Sequence, residues 1–464
     1  MTEEVMTVPI DNERIAGLIQ DGVENASRVR EILDKALQLK GLDEHDVSVL
    51  MAVNSPDLLE ELFDTARKAK LEIYGRRIVL FAPLYVSNLC ANDCTYCAFR
   101  KGNPAVKRRA LRQEEVANET RIILDQGHKR ILLVAGEAYP NEGLNYIFNC
   151  IDTIYATKTE WGEIRRVNVN IAPLTVDEFK ELKGRKIGTY QLFQETYHRD
   201  TYMKVHVAGK KRDFDWRISA MDRAMEAGID DVGIGVLFGL ADWRFEMLAL
   251  MQHIAHLEKK FGVGPHTISV PRIEPAVGSD LSLSPPIPVT DTEFKKLVAI
   301  LRLTVPYTGI IMSTRETPEM RHETLALGVS QISAGSRTNP GGYNDNEQFD
   351  TSQFSLGDHR TLDEVVADVT SMGYIPSFCT GCYRMKRTGK DFMDLAKPGL
   401  IKNYCDVNAL STFTEFLEHY ASPGTKKTGD ALVETVLNEM PPSRMKRAKA
   451  LVEEVRAGGR DVYV

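Results

Sequence analysis

Along residues 1–76, apolar and charged positions alternate at helical spacing. IAGLIQDGVENASRVREILDKALQL and SPDLLEELFDTARKAKLEIYG each carry an apolar stripe recurring every three to four residues, the period of an amphipathic helix. Ser55-Pro56 is a sound helix start, with a hydroxyl at the N-cap and proline in the first turn. The pattern predicts a helical N-terminal extension, residues 1–76, without chemistry of its own.

From Arg77 the rhythm changes. Short runs rich in β-branched residues (RIVLFAPLYVS, RILLVAGE, RVNVNIAP, GTYQLFQE, DDVGIGVLFGL, HTISVPRIEP, TGIIMSTRE and QISAGS) alternate with amphipathic stretches such as EEVANETRIILDQG, DWRISAMDRAMEAG and DTEFKKLVAILRLTV. Eight strands, each followed by a helix, over roughly 290 residues fit an α/β fold with a complete (β/α)8 barrel at residues 77–372. A doubly wound open sheet is the alternative; it usually has fewer strands. Residues 373–464 lose the strand rhythm and predict a small, separate helical domain.

Hydrophobic residues make up 43% of the chain and the formal net charge is −7. A large core is therefore available, and nucleic-acid binding has no electrostatic support. The start lacks the basic and apolar regions of a signal peptide, and no apolar run is long enough to span a membrane. The reading is a soluble, cytoplasmic protein. In that compartment seven cysteines point to metal ligands or buried thiols rather than disulfides. Cys150, alone in a helical pattern, reads as a core thiol.

Three cysteines fall in Cys90-Ala-Asn-Asp-Cys94-Thr-Tyr-Cys97, directly after the first strand, at the barrel face where active sites lie. Such a Cys-x3-Cys-x2-Cys loop supplies three thiolates to a 4Fe–4S cluster and leaves one iron open to a ligand. The alternative is zinc completed by a distant histidine, although zinc loops usually come as two Cys pairs. The loop resembles that of the radical S-adenosylmethionine superfamily. On that resemblance Tyr96 contacts the adenine through its backbone. Ala135-Gly136-Glu137 resembles the Gly-Gly-Glu motif that holds the methionine amino group, with alanine in place of the first glycine. Glu195, Arg217, Gly233 and Gly235 resemble further ribose, carboxylate and adenine contacts; read singly, glycine in a barrel strand commonly serves packing.

Cys379-x2-Cys382-x22-Cys405 offers a second thiolate group. On spacing alone it also fits a zinc knuckle short of one ligand or a redox pair. Four cations, Arg384, Lys386, Arg387 and Lys390, stand beside it; they suit an anionic cluster, and equally a solvated face. The two groups in this order, with FCTGCYRMKRTGKDFM, resemble the radical S-adenosylmethionine tyrosine lyases that mature FeFe-hydrogenase, over nearly the whole chain. The resemblance implies L-tyrosine as substrate and p-cresol and dehydroglycine as first products. It also implies a second 4Fe–4S cluster with an additional iron, where carbon monoxide and cyanide form and free cysteine serves as a ligand. An electron donor such as ferredoxin or flavodoxin and other hydrogenase maturation proteins are implied as partners.

His266 opens the sixth strand, at the bottom of the barrel. From there to Ile273 the chain advances on the order of 23 Å, so His266 cannot touch chemistry at the top. In the family the matching histidine ligates the additional iron; by itself a histidine at a strand end caps a carbonyl. At the top, Ser313-Thr-Arg315-Glu316 and Ser333-Ala-Gly-Ser336-Arg337 close the last two strands. Arg315 is the choice for a bidentate clamp on the substrate carboxylate, with Ser313 and Ser333 adding hydrogen bonds. Asn168, Asn170 and Gln194 are secondary candidates for positioning substrate. Other readings stay open: a lyase of the thiamine-biosynthesis tyrosine lyase type, a family that shares the barrel motifs but lacks the second cysteine group; a radical enzyme acting on another amino acid, its second cluster serving electron transfer; and a zinc-stabilised binding protein.

Overall fold

In the computed structural model, which describes residues 8–344 and 352–464, eight parallel strands close into a barrel. They are β1 (Arg77–Ser87), β2 (Arg130–Ala135), β3 (Arg166–Asn170), β4 (Tyr190–Gln191), β5 (Val232–Gly235), β6 (Thr267–Ser269), β7 (Gly309–Met312) and β8 (Gln331–Ser333). Each lies inside one of the eight runs read from the sequence. Closure is made by β8 on β1, with Val79 opposite Gln331 and Phe81 opposite Ser333. That pairing excludes the open sheet.

β1 is 11 residues long, and β2 joins it only from Ala82 onward. Its first residues therefore overhang the lower rim. A ninth strand, β9 (Ile375–Ser377), pairs with that overhang in parallel, Arg77 facing Ile375 and Val79 facing Ser377. The purely helical reading of residues 373–464 needs this correction. Pro376 is tolerated because β9 lies at the edge, where a missing N–H costs no ladder bond.

The four N-terminal helices are Asn12–Asp21, Ala26–Ala36, Glu44–Ala52 and Pro56–Tyr74. Side chains of Asp11, Asn25 and Asp43 cap the first three by accepting amide hydrogens. The fourth begins at Ser55-Pro56 as read, but Ser55 makes no side-chain cap. Its last residue, Tyr74, donates to the Tyr307 carbonyl (2.6 Å) below the barrel. After β9, helices Gly381–Arg384, Gly389–Ala396 and Lys402–His419 carry or flank the second cysteine group. Ile32 and Leu62 from the N-terminal helices, Ile131 and Val167 from the wall, and Leu410 and Phe413 from the C-terminal helices belong to one buried apolar cluster. At about 1.5–3 kcal/mol for each such side chain, this shared core fixes both ends of the barrel. No helix among the described residues is long and apolar enough to cross a membrane.

Candidate functional sites at the two ends of the barrel

The loop after β1 is held from both sides. Lys101 donates its amide to the Asn92 carbonyl (2.7 Å), and Asp93–Cys94 pairs antiparallel with His206–Ala208. Cys90, Cys94 and Cys97 thereby line a cavity with about 1480 Å³ of empty space, open at its mouth. Tyr96, Gly136, Glu137, Glu195, Arg217, Ser313, Arg315 and Ser333 line the same cavity. Burial raises all three thiols, Cys97 to about 11, as suits groups that ionise only on binding metal. Among the described residues no three His, Cys, Asp or Glu side chains converge on a single metal-ion position. Three soft thiolates presented by one loop suit an iron–sulfur cluster, which takes each on a different iron. The donor set therefore fits a cluster.

Four charges beside the loop form a closed network. Glu137 accepts from Arg217 (2.9 Å) and from Asn92 Nδ2 (2.7 Å), and Glu195 accepts from Lys211 (2.7 Å). Burial alone would lower Arg217, but Glu137 and Glu195 outweigh it and hold its pKa above the usual value. Burial would likewise raise Glu137, which Arg217 and Lys211 hold down. Glu195 has φ +72°, a left-handed conformation that costs a non-glycine residue about 1–3 kcal/mol. The amide of Leu237 on its carbonyl (2.8 Å) helps hold it there. Tyr96 meets His206 Nε2 at 2.9 Å, and burial drops that imidazole to about 2, so it stays neutral. A Cβ on Gly136 would lie 2.2 Å from the Leu89 carbonyl oxygen, so only glycine lets the end of β2 touch the cysteine loop.

Arg315 lies over the Phe354 ring, 3.3 Å from its centroid, and its guanidinium has no ion pair or hydrogen bond among the described residues. Ser333 Oγ accepts the Thr314 amide (3.2 Å) and Ser313 Oγ the Arg315 amide (3.4 Å), so both hydroxyls also shape the turn that presents Arg315. Gly233 and Gly235 lie in β5, where a Cβ would meet Thr267 Oγ1 (2.5 Å) in one case and the Ser269 carbonyl oxygen and Phe193, a wall residue, (both 2.8 Å) in the other, so strand packing calls for glycine at both. Asn170 lines the cavity while donating to the Gln191 carbonyl (2.8 Å). Asn168 instead accepts the Thr189 amide (3.0 Å), and Gln194 is buried away from the wall. Sequence reasoning missed Asn92, Lys211 and Glu274 on this wall. Only Asn92, inside the cysteine loop, carried a local signal.

At the lower end, Cys379, Cys382, Cys405 and His266 line one cavity of about 510 Å³. β9 delivers Cys379, whose carbonyl accepts from Arg130 Nη2 (2.8 Å) and whose sulfur accepts the Gly381 amide (3.3 Å). Cys382 and Cys405 share a hydrogen bond that lowers the first thiol and raises the second. His266 packs on Phe392, 4.3 Å between ring centroids, and burial lowers its pKa, keeping the imidazole neutral. Its Nδ1 faces Asp231 Oδ2 at 3.9 Å, and among the described residues neither it, Arg77 Nε, Arg130 Nε, Thr380 Oγ1 nor either Asp231 oxygen around the same cavity has a hydrogen-bond partner. Buried polar atoms are normally satisfied, so so many open ones fit a polar, multi-atom occupant. Of the four cations read beside this group only Arg387 lines the cavity; Arg77 and Arg130, from the starts of β1 and β2, supply the rest of the positive charge.

The two cavities are close. β1 gives Phe81 to the upper and Val79 to the lower, and β8 gives Ser333 and Gln331 in the same way. Two residues correspond to about 7 Å. Gln191 Oε1 on the wall of the upper cavity and Thr267 Oγ1, which lines neither cavity, are buried without hydrogen-bond partners among the described residues. Cys150 lies apart, buried in the helix Leu144–Ala156, with burial raising its thiol to about 11.

Sequence and structure comparisons agree with this anatomy. The Radical SAM superfamily model matches residues 84–251 and the Biotin and Thiamin Synthesis associated domain matches 269–375. The chain thus belongs to the radical S-adenosylmethionine enzymes. It is 33% identical to 2-iminoacetate synthase of Escherichia coli over 74% of this chain and 89% of that one. A crystal structure of HydG, a maturase of the [FeFe]-hydrogenase, superposes with a TM-score of 0.95 at 48% identity, covering 98% of this chain and 99% of that one. HydG from Carboxydothermus hydrogenoformans gives 0.83 at 43% identity over 95% and 97%. Within the class, this chain is a member of the HydG family.

Proposed function

We propose that the enzyme cleaves the Cα–Cβ bond of L-tyrosine to p-cresol and dehydroglycine in the upper cavity. The fragment then yields carbon monoxide and cyanide in the lower one, giving an Fe(CO)(CN) synthon for FeFe-hydrogenase assembly. The observation that carries this reading is the pair of three-cysteine cavities at opposite ends of one barrel, a short span apart, with His266 in the second. The 2-iminoacetate synthase relative supports the first half, because 2-iminoacetate is dehydroglycine.

When bound, the upper cluster supplies the electron that converts S-adenosylmethionine to a 5′-deoxyadenosyl radical. Cys90, Cys94 and Cys97 would hold that cluster, and the Glu137–Arg217 pair would meet the amino and carboxylate groups of the methionine moiety. Arg315 holds the tyrosine carboxylate, with Ser313 and Ser333 fixing the turn that aims it. Phe354 packs against the Arg315 guanidinium and helps hold it in place. Below, Cys379, Cys382 and Cys405 would hold the second 4Fe–4S cluster. Neutral His266 offers a lone pair to the additional iron, which is substrate here and carries free cysteine. Arg77, Arg130 and Arg387 stabilise anionic species in that cavity. Electrons come from a carrier such as ferredoxin or flavodoxin, and the synthon passes to other maturation proteins.

Anaerobic reconstitution with iron and sulfide is expected to give two reduced 4Fe–4S resonance signals, one of them perturbed by S-adenosylmethionine. Tyrosine and a reductant should then give p-cresol; cofactor cleavage without p-cresol would remove the substrate assignment. Cys379→Ala should keep p-cresol and lose carbon monoxide, and equal loss of both would overturn the division of labour. His266→Ala should keep p-cresol and deplete the additional iron.

A further inference from the structure

Six charged side chains line the upper cavity. Glu137, Glu195, Lys211 and Arg217 neutralise one another. Arg315 and Glu274 are left over, since neither has an ion pair or side-chain hydrogen bond among the described residues. The cation nearest Glu274 in sequence is already engaged: Arg272 gives Nε to Glu316 (3.0 Å) and Nη1 to Asp291 (2.8 Å). Glu274 and Arg315 also do not close on each other, having no N···O approach within 4.0 Å. They interact electrostatically across the cavity, and each influences the other's ionisation.

One open cation and one open anion on the same wall complement an α-amino acid, whose carboxylate and ammonium share one carbon. If Arg315 takes the carboxylate, the charge left to answer the ammonium is Glu274. We propose that Glu274 receives the ammonium group of the amino-acid substrate, opposite Arg315, and accepts one proton from it. This rests on the amino-acid-lyase reading given above. In the transfer an N–H bond breaks and its electron pair stays on nitrogen, leaving the free amine. The proton forms an O–H bond on Glu274, and nothing is oxidised or reduced. Burial and the charge of Glu316 raise the Glu274 carboxyl to about 7, which places it among bases that work near neutral pH. The amine is thereby presented uncharged to hydrogen-atom abstraction.

The test is ligand binding to the reconstituted holoenzyme with S-adenosylmethionine and no reductant, so that nothing turns over. Wild type, Glu274→Gln and Glu274→Asp are titrated with L-tyrosine and with 3-(4-hydroxyphenyl)propanoate, which keeps the carboxylate and phenol but lacks the amino group. Glu274→Gln should bind tyrosine about tenfold or more weakly, the scale of a lost charge-assisted hydrogen bond, while its affinity for the propanoate stays within about twofold. Glu274→Asp, which keeps the charge, should recover most of the tyrosine affinity. Unchanged tyrosine affinity, equal weakening of both ligands, or an aspartate variant no better than glutamine would each overturn the assignment. If wild type binds tyrosine but makes no p-cresol, the lyase reading fails, while the binding comparison still decides the role of Glu274.

Discussion

Replacing Gly136 with alanine tests how tightly the end of β2 is coupled to the cysteine loop. The Gly136 amide donates to the Ser87 carbonyl at 2.9 Å, so two backbones already touch. An added Cβ would lie 2.2 Å from the Leu89 oxygen and 3.2 Å from the Asn88 carbonyl carbon, where ordinary contact begins at 3.4 Å. The segments must therefore part by about 1 Å. Neither side yields without chemical consequence. Leu89 immediately precedes Cys90, and Gly136 immediately precedes Glu137, whose carboxylate holds Arg217 at 2.9 Å. A displacement of this size at a positioned reacting group costs on the order of 10²-fold in rate, and overpacking of this kind costs about 1–3 kcal/mol of stability. The assay is 5′-deoxyadenosine formation by reconstituted protein, normalised to iron bound by the first cysteine group. Gly136→Ala should load iron, unfold at a slightly lower temperature and cleave the cofactor about a hundredfold more slowly. A variant that loads iron and cleaves at the wild-type rate would refute the argument.

Two further expectations concern stability. Arg321 and Asp358 form an ion pair at 2.6 Å with both side chains essentially inaccessible, so Asp358→Asn should destabilise by about 3–5 kcal/mol through the uncompensated guanidinium, read as a lowered unfolding temperature. Glu246 is buried, accepts from Thr196 Oγ1 and the Tyr197 amide, and burial raises its pKa from 4.5 to about 7. Between those values the folded state holds a proton that the unfolded state has lost, so stability falls as pH rises from 4.5 towards 7 and levels off above, by about 3 kcal/mol in all. Glu246→Gln should flatten that part of the curve of unfolding temperature against pH, and an unchanged slope would sink the assignment.

The barrel was legible because its signal is local and repeated, as in Arg77–Ser87, where run and strand coincide. β9 was not, because Ile375-Pro-Ser is three residues long with proline at its centre and exists through pairing with residues almost 300 positions earlier. The first cysteine group was legible for the same reason as the strands, covalent spacing within one loop, whereas Cys405, on a separate helix with 22 residues between it and Cys382, was joined to the second group through the family resemblance. Glu274 and Lys211 were not legible, since they join the cavity from different barrel loops and no period or motif marks them. At Gly233 and Gly235 the close approach of neighbouring strands gives a packing reason for glycine that the sequence motif did not display.

The overhang of β1 also bears on the order in which the molecule matures. Residues 77–79 pair with β9 and residues 79–81 with β8, and both strands arrive late in synthesis. Closing so long a loop is entropically costly and slow. The lower cysteine group thus takes shape only once β9 has docked on β1, whereas the pairing that pins the upper loop needs the chain only as far as Ala208. A filled lower cavity would then mark a finished barrel.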